Sequence, residues 1–210
     1  MPDGWPAWTG AAIEYLRAQS QYLRRQFPAD SHKLWLAQTP SHFGLESLLC
    51  KVYETQRFIV THRDPATCVP SITLTSLAQR KLYSDFDSVF SLGPAMPAMF
   101  SAAAAAQHMA WRDANPRFDV LDLSFREITQ DAMAAVRKVF DFAGLPITAD
   151  AEARVRDWER RNPKDKHVKT DYSPASMATS EEEISRAFAD YRERFSAFIQ
   201  YHAERITALI

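Results

Sequence analysis

Two short β-rich runs, RFIVT at 57–61 and FDVLDL at 118–123, are separated by a long stretch of helical periodicity. Strands joined that way do not close as a hairpin. They predict a crossover connection and a parallel sheet flanked by helices, the α/β class. A third apolar run, LWL at 34–36, reads as a short buried strand. Three strands are few for 210 residues, so the fold is expected to be helix-rich, as a single domain over 1–210.

The helices are placed by periodicity and by start and stop signals. Residues 10–27 carry Ile13, Leu16, Leu23 and Phe27 on one stripe, with Arg17, Arg24 and Arg25 off it. Residues 45–53 read as a second helix. Asp64 and Pro65 give an N-cap and a first helical residue, so a helix runs from there toward Tyr83, bent or restarted near Pro70. Residues 95–114 form an Ala-rich helix whose run 102–106 suggests close packing. A helix over 129–143 ends at Gly144, with Pro146 beyond, and another covers 149–161. Ser180 and Glu183 make a capping box. It opens a long helix with Ile184, Phe188, Tyr191, Phe195, Phe198 and Ile199 on one stripe.

Composition excludes several classes. With 46% hydrophobic residues the chain can build a core without disulfides or a structural metal. Twenty-five basic against 26 acidic side chains leave no field for coating nucleic acid. The five glycines (4, 10, 44, 93 and 144) are too far apart for G-x-x-x-x-G-K or G-x-G-x-x-G. Cys50 and Cys68 form no C-x-x-C pair and read as buried thiols of a reducing compartment. No apolar run is long enough to span a membrane, and the MPDGWPAW start has no basic n-region. The cytoplasm is the default expectation.

Three constellations carry chemistry. In T-H-R-D-P-A-T-C-V-P-S (61–71) a strand ends, turns and starts a helix, which puts Arg63 where α/β folds bind ligands. Its planar fork suits a phosphate, and Ser71, two helical turns on, offers a hydroxyl. The alternative is an Arg63 paired with Asp64 or Asp85 and an ordinary helix serine. In L-A-Q-T-P-S-H-F-G-L (36–45) a proline turn presents His42, a residue type suited to general-base work near neutral pH. The alternative is a capping or plain loop histidine. Residues 154–170 hold seven Lys and Arg against three acids, which suits a multiply charged phosphate ligand. The alternative is a solvated helix end whose cations favour the C-terminal dipole.

In this order the motifs resemble the bacterial branch of the sulfotransferase family, which uses 3′-phosphoadenosine 5′-phosphosulfate. The elements are the proline turn with His42, then T-H-R-D-P with Ser71, D-L-S-F-R-E-I (122–128), F-A-G-L-P (142–146) and N-P-K-D-K-H (162–167). The resemblance covers about residues 5–200. It implies a parallel sheet with helices on both sides, related to the nucleotide kinases. It implies that Arg63 and Ser71 hold the donor's 3′-phosphate and that His42 takes the acceptor's proton. Lys164, Lys166 and His167 would fall in a basic loop closing over the nucleotide. It implies a small-molecule acceptor and no metal.

Two departures follow. The family's first strand and Gly-rich phosphosulfate loop have no counterpart here, so the chain is expected to be N-terminally short. A sheet lacking that strand would expose an edge, which favours a homo-oligomer. Gln38 stands where many relatives have a lysine. Three readings result: a sulfotransferase, a shortened or inactive member that binds nucleotide without transfer, or a helical interaction protein using the 184–199 stripe.

Overall fold

The computed structural model describes residues 9–28, 34–53, 57–83, 96–163 and 180–199. The chain divides into two compact units, one of residues 1–56 and 102–119, the other of residues 57–101 and 120–210.

In the first unit, helix α1 (Thr9–Gln26) packs on α2 (Glu46–Tyr53). Its core holds Ile13, Leu45, Leu49, Ala104, Ala105 and Trp111, the last three from helix α4 (Met96–Ala114). The expected close packing of the Ala run is seen at Ala104. A Cβ on Gly44 would lie 2.8 Å from both the Ala104 Cα and its carbonyl oxygen. Gly44 also has φ +80°, so only glycine meets both demands. The α1 stripe is formed but mostly exposed: Ile13 is buried, whereas Leu16, Leu23 and Phe27 are open to solvent.

The LWL run is not a strand. Residues 34–39 have no regular structure and Leu34, Trp35 and Leu36 are exposed. A strand exists only where a neighbour pairs its backbone groups, and hydrophobicity alone did not supply one. Trp35 instead receives the Arg24 guanidinium at 5.6 Å from its ring centroid.

In the second unit, β1 (Arg57–His62) and β2 (Asp119–Ser124) pair as a small parallel sheet. The fold is helix-rich α/β, as the spacing of the two runs requires. Helix α3 (Pro65–Lys81) follows β1 and continues through Pro70, whose ring is fully buried beside Val69 and Thr73. After β2 come α5 (Phe125–Gln130) and α6 (Ala132–Ala143) rather than one helix over 129–143. Asp131 interrupts them with extended-type angles, and its carboxylate accepts from the Ala134 N–H at 2.9 Å. A short acidic side chain at that place caps better than it propagates. Gly144 ends α6 at φ +69°, and α7 (Ala149–Arg161) follows.

The capping box at Ser180 and Glu183 opens α8 (Glu181–Ala187), which packs on α3. The expected long helix is two: Phe188 breaks the line before α9 (Ala189–Arg194). The stripe survives the break. Ile184, Phe188, Tyr191, Phe195 and Ile199 are all buried, so this face is core and not a docking surface. No helix among the described residues is long and apolar enough to cross a membrane.

Candidate active site

The turn from β1 into α3 is built by Asp64. Its Oδ1 accepts the Ala66 N–H at 3.0 Å, and its carbonyl accepts the Thr67 hydroxyl at 2.8 Å. With Pro65 at the first helical position this fixes where α3 begins. The same Oδ1 also accepts from Arg192 of α9, whose other amino group reaches the Ser185 hydroxyl at 2.6 Å. Asp64 and Arg192 are both buried. The carboxylate beside Arg63 in sequence is thus engaged elsewhere.

Arg63 itself is exposed, and its guanidinium carbon lies 4.4 Å over the centroid of Phe125. Phe125 is the first residue after β2, so both groups stand at the carboxyl ends of the two strands. Arg63 makes no ion pair among the described residues. An aromatic face holds a cation in place without neutralising it. Ser71 is half-buried on the α3 face that also carries Thr67. Its carbonyl accepts the Thr75 hydroxyl at 3.0 Å, and its own hydroxyl has no partner among the described residues.

Sequence reasoning passed over His62, the residue before Arg63. It is fully buried, with Nδ1 2.7 Å from the Tyr191 hydroxyl and Nε2 2.8 Å from Asp122 Oδ1. Its ring stacks on Phe195 at 4.3 Å. Burial raises the Tyr191 pKa, so that phenol keeps its proton. A neutral imidazole accepting from Tyr191 and donating to Asp122 satisfies both contacts. Asp122 and Tyr191 sat inside motifs already singled out, but nothing linear joined them.

In the first unit, His42 closes a one-turn 3-10 helix, Pro40–His42. Thr39 caps it, its hydroxyl accepting from the Ser41 N–H at 3.3 Å. His42 Nε2 is shielded from solvent and has no hydrogen-bond partner among the described residues. Burial without a compensating anion lowers its pKa, so the ring is neutral near pH 7 and its basic nitrogen is available. Just beyond, the Glu46 carboxylate accepts the Gly44 N–H at 3.3 Å and lies 2.8 Å from His108 Nδ1 on α4. Gln38 is exposed.

The candidates are thus divided between units. His42 belongs to the first, Arg63 and Ser71 to the second, each with its own local geometry. Lys164, Lys166 and His167 lie outside the described residues. The helical part of the basic stretch is described and is largely self-neutralised. Arg154 pairs with Asp150 at 2.9 Å, and Arg160 and Arg161 both pair with Asp157. That stretch of α7 behaves as a solvated helix end. Burial raises the thiol pKa of both Cys50 and Cys68, which leaves them poor nucleophiles. No cluster of three metal-ligating side chains occurs among the described residues.

Comparison with known proteins agrees with the motif order. A model of the sulfotransferase family matches residues 9–152. Among solved structures, the sulfotransferase STF9 from Mycobacterium avium matches with a TM-score of 0.71 at 22% identity. The match covers 91% of this chain and 48% of that one, so the chain spans about half the length of its solved relative. No curated protein matches. At that identity the structural likeness speaks for the fold. The family match runs from α1 through the first residues of α7 and takes in the turns that carry His42 and Arg63, and the chain belongs to the sulfotransferase family.

Proposed function

We propose that this chain takes part in sulfuryl transfer from 3′-phosphoadenosine 5′-phosphosulfate to a hydroxyl or amine of a small-molecule acceptor. The acceptor's oxygen or nitrogen attacks sulfur, the bond from sulfur to the phosphate oxygen breaks, and 3′,5′-ADP leaves. His42 takes the acceptor's proton. Arg63 and Ser71 hold the 3′-phosphate, and Lys164, Lys166 and His167 close over the nucleotide.

The observation that carries this reading is the state of Arg63. A guanidinium at the carboxyl ends of two parallel strands has no carboxylate partner among the described residues, because Asp64 is engaged by Arg192. A cation kept exposed and uncompensated in that position suits an anionic ligand. In the first unit, His42 has its pKa lowered by burial and Nε2 without a partner among the described residues, which suits a base that must meet the acceptor unprotonated.

The test is calorimetric titration with 3′,5′-ADP. Wild type is expected to give a binding heat that Arg63→Ala abolishes or greatly weakens. Equal heats from both, or none from either, overturn the reading.

A second reading, binding without transfer, is favoured by one specific feature. Gln38, standing where many relatives have a lysine, can donate a hydrogen bond but brings no charge. Oriented donors at the reacting group are each worth on the order of 10²–10³ in rate. A chain that binds 3′,5′-ADP yet forms no labelled product from sulfur-labelled donor with simple phenols would select this reading.

A further inference from the structure

We propose that Glu46 and His108 are positioning residues for His42, fastening the turn that carries it to one face of α4. The inference rests on the reading of His42 as the base.

Three consecutive features beyond His42 touch that face. The Phe43 ring lies 4.9 Å from the His108 ring. Gly44 sits directly against the Ala104 backbone, at a distance that leaves no room for a Cβ. Glu46 Oε1 takes the Gly44 N–H and meets His108 Nδ1. Ala104 and His108 are one turn apart on α4 and share a face. The turn is therefore pinned at two places by backbone contact and by a hydrogen-bonded acid.

The chemistry of the joint points to direction rather than cohesion. Glu46 is 3% exposed and His108 0%. A buried ion pair adds little net stability over apolar residues of the same volume. What it supplies is fixed geometry: one carboxylate oxygen, Glu46 Oε1, takes the Gly44 N–H and lies 2.8 Å from His108 Nδ1, so the turn and α4 are tied at a single atom. The charged and titratable groups facing this joint are Glu46 from α2 and His108 from α4, with Arg117 near enough to act on Cys50 together with Glu46. None of them is an anion placed on His42, whose shift comes from burial alone. The partial burial that lowers the His42 pKa thus depends on where the turn is held.

The test follows the His42 imidazole by NMR titration in the intact chain. Wild type is expected to titrate below the ordinary histidine range. Glu46→Gln keeps the acceptor oxygen for Gly44 and His108, so His42 should titrate as in wild type. Glu46→Ala removes it, and the His42 midpoint should rise toward the ordinary value of about 6.5. Binding of 3′,5′-ADP through Arg63 should stay unchanged. If Glu46→Ala does not fold, Gly44→Ala displaces the turn with the carboxylate intact and should give the same rise. An unchanged His42 midpoint in whichever variant folds overturns the inference, even where the denaturation midpoint falls. Failure of the catalytic reading looks different: His42→Ala would still transfer sulfuryl to a simple phenol, with the NMR result standing.

Discussion

The turns carrying His42 and Arg63 are alike in sequence logic and opposite in electrostatics. Each places a candidate side chain just before a helix, and each is anchored by a buried carboxylate. At Arg63 the carboxylate is Asp64, held by Arg192, and the exposed guanidinium has no ion pair among the described residues. At His42 the carboxylate is Glu46, held by His108, and the half-buried ring has its pKa lowered by burial. In both cases the partner of the acid comes from a helix distant in sequence.

Breaking the acid's partner should show the largest effect. Arg192→Ala leaves Asp64 buried with its charge unpaired, which costs about 3–5 kcal/mol for a pair of this kind. Chemical denaturation should show that loss. Affinity for 3′,5′-ADP should fall as well, because the released carboxylate competes for Arg63. Unchanged affinity at reduced stability would mean that the Asp64 pairing does not govern Arg63.

Removing His62 comes next. His62→Ala removes the acceptor of the buried Tyr191 hydroxyl and a donor to Asp122, at about 1–3 kcal/mol for each hydrogen bond lost. The denaturation midpoint should drop, and the effect should be smaller in His62→Gln, which can reach one of the two partners.

Arg63→Ala sharpens the comparison by dissociating function from stability. An exposed side chain whose contact is a ring face should change stability by no more than about 1 kcal/mol. Its loss of 3′,5′-ADP binding should correspond to about 1.5–3 kcal/mol, the worth of hydrogen bonds to a charged group. A variant that loses stability and keeps binding would assign Arg63 to the fold.

The smallest effect is a pH dependence. His42 binds its proton less tightly folded than unfolded, so the folded state loses stability as pH falls below about 6.5 and levels off below the lowered folded value. Above that range His42 contributes no slope. His42→Gln should flatten the stability profile between pH 7 and 5. A slope unchanged by the substitution would place the titration on another group.

Local signals were legible where one residue type enforces one geometry. The Asp64–Pro65 start, the Ser180–Glu183 box and the left-handed Gly144 end all appear where spacing put them. Failures came where tertiary partners decide. LWL had the composition of a strand and no neighbour to pair with. Phe188 split a stripe whose apolar period was unbroken. The arginines of α7 read in sequence as part of a positive run, and in space their acids lie one turn away.

The sequence alone determined the class of fold, the two turns and the residues they present, since these follow from local backbone preference and the period of the apolar side chains. Only the tertiary structure decided which acid each functional residue would face. Charge pairing depends on distance through space, and Asp64 finds its partner 128 residues away rather than next door.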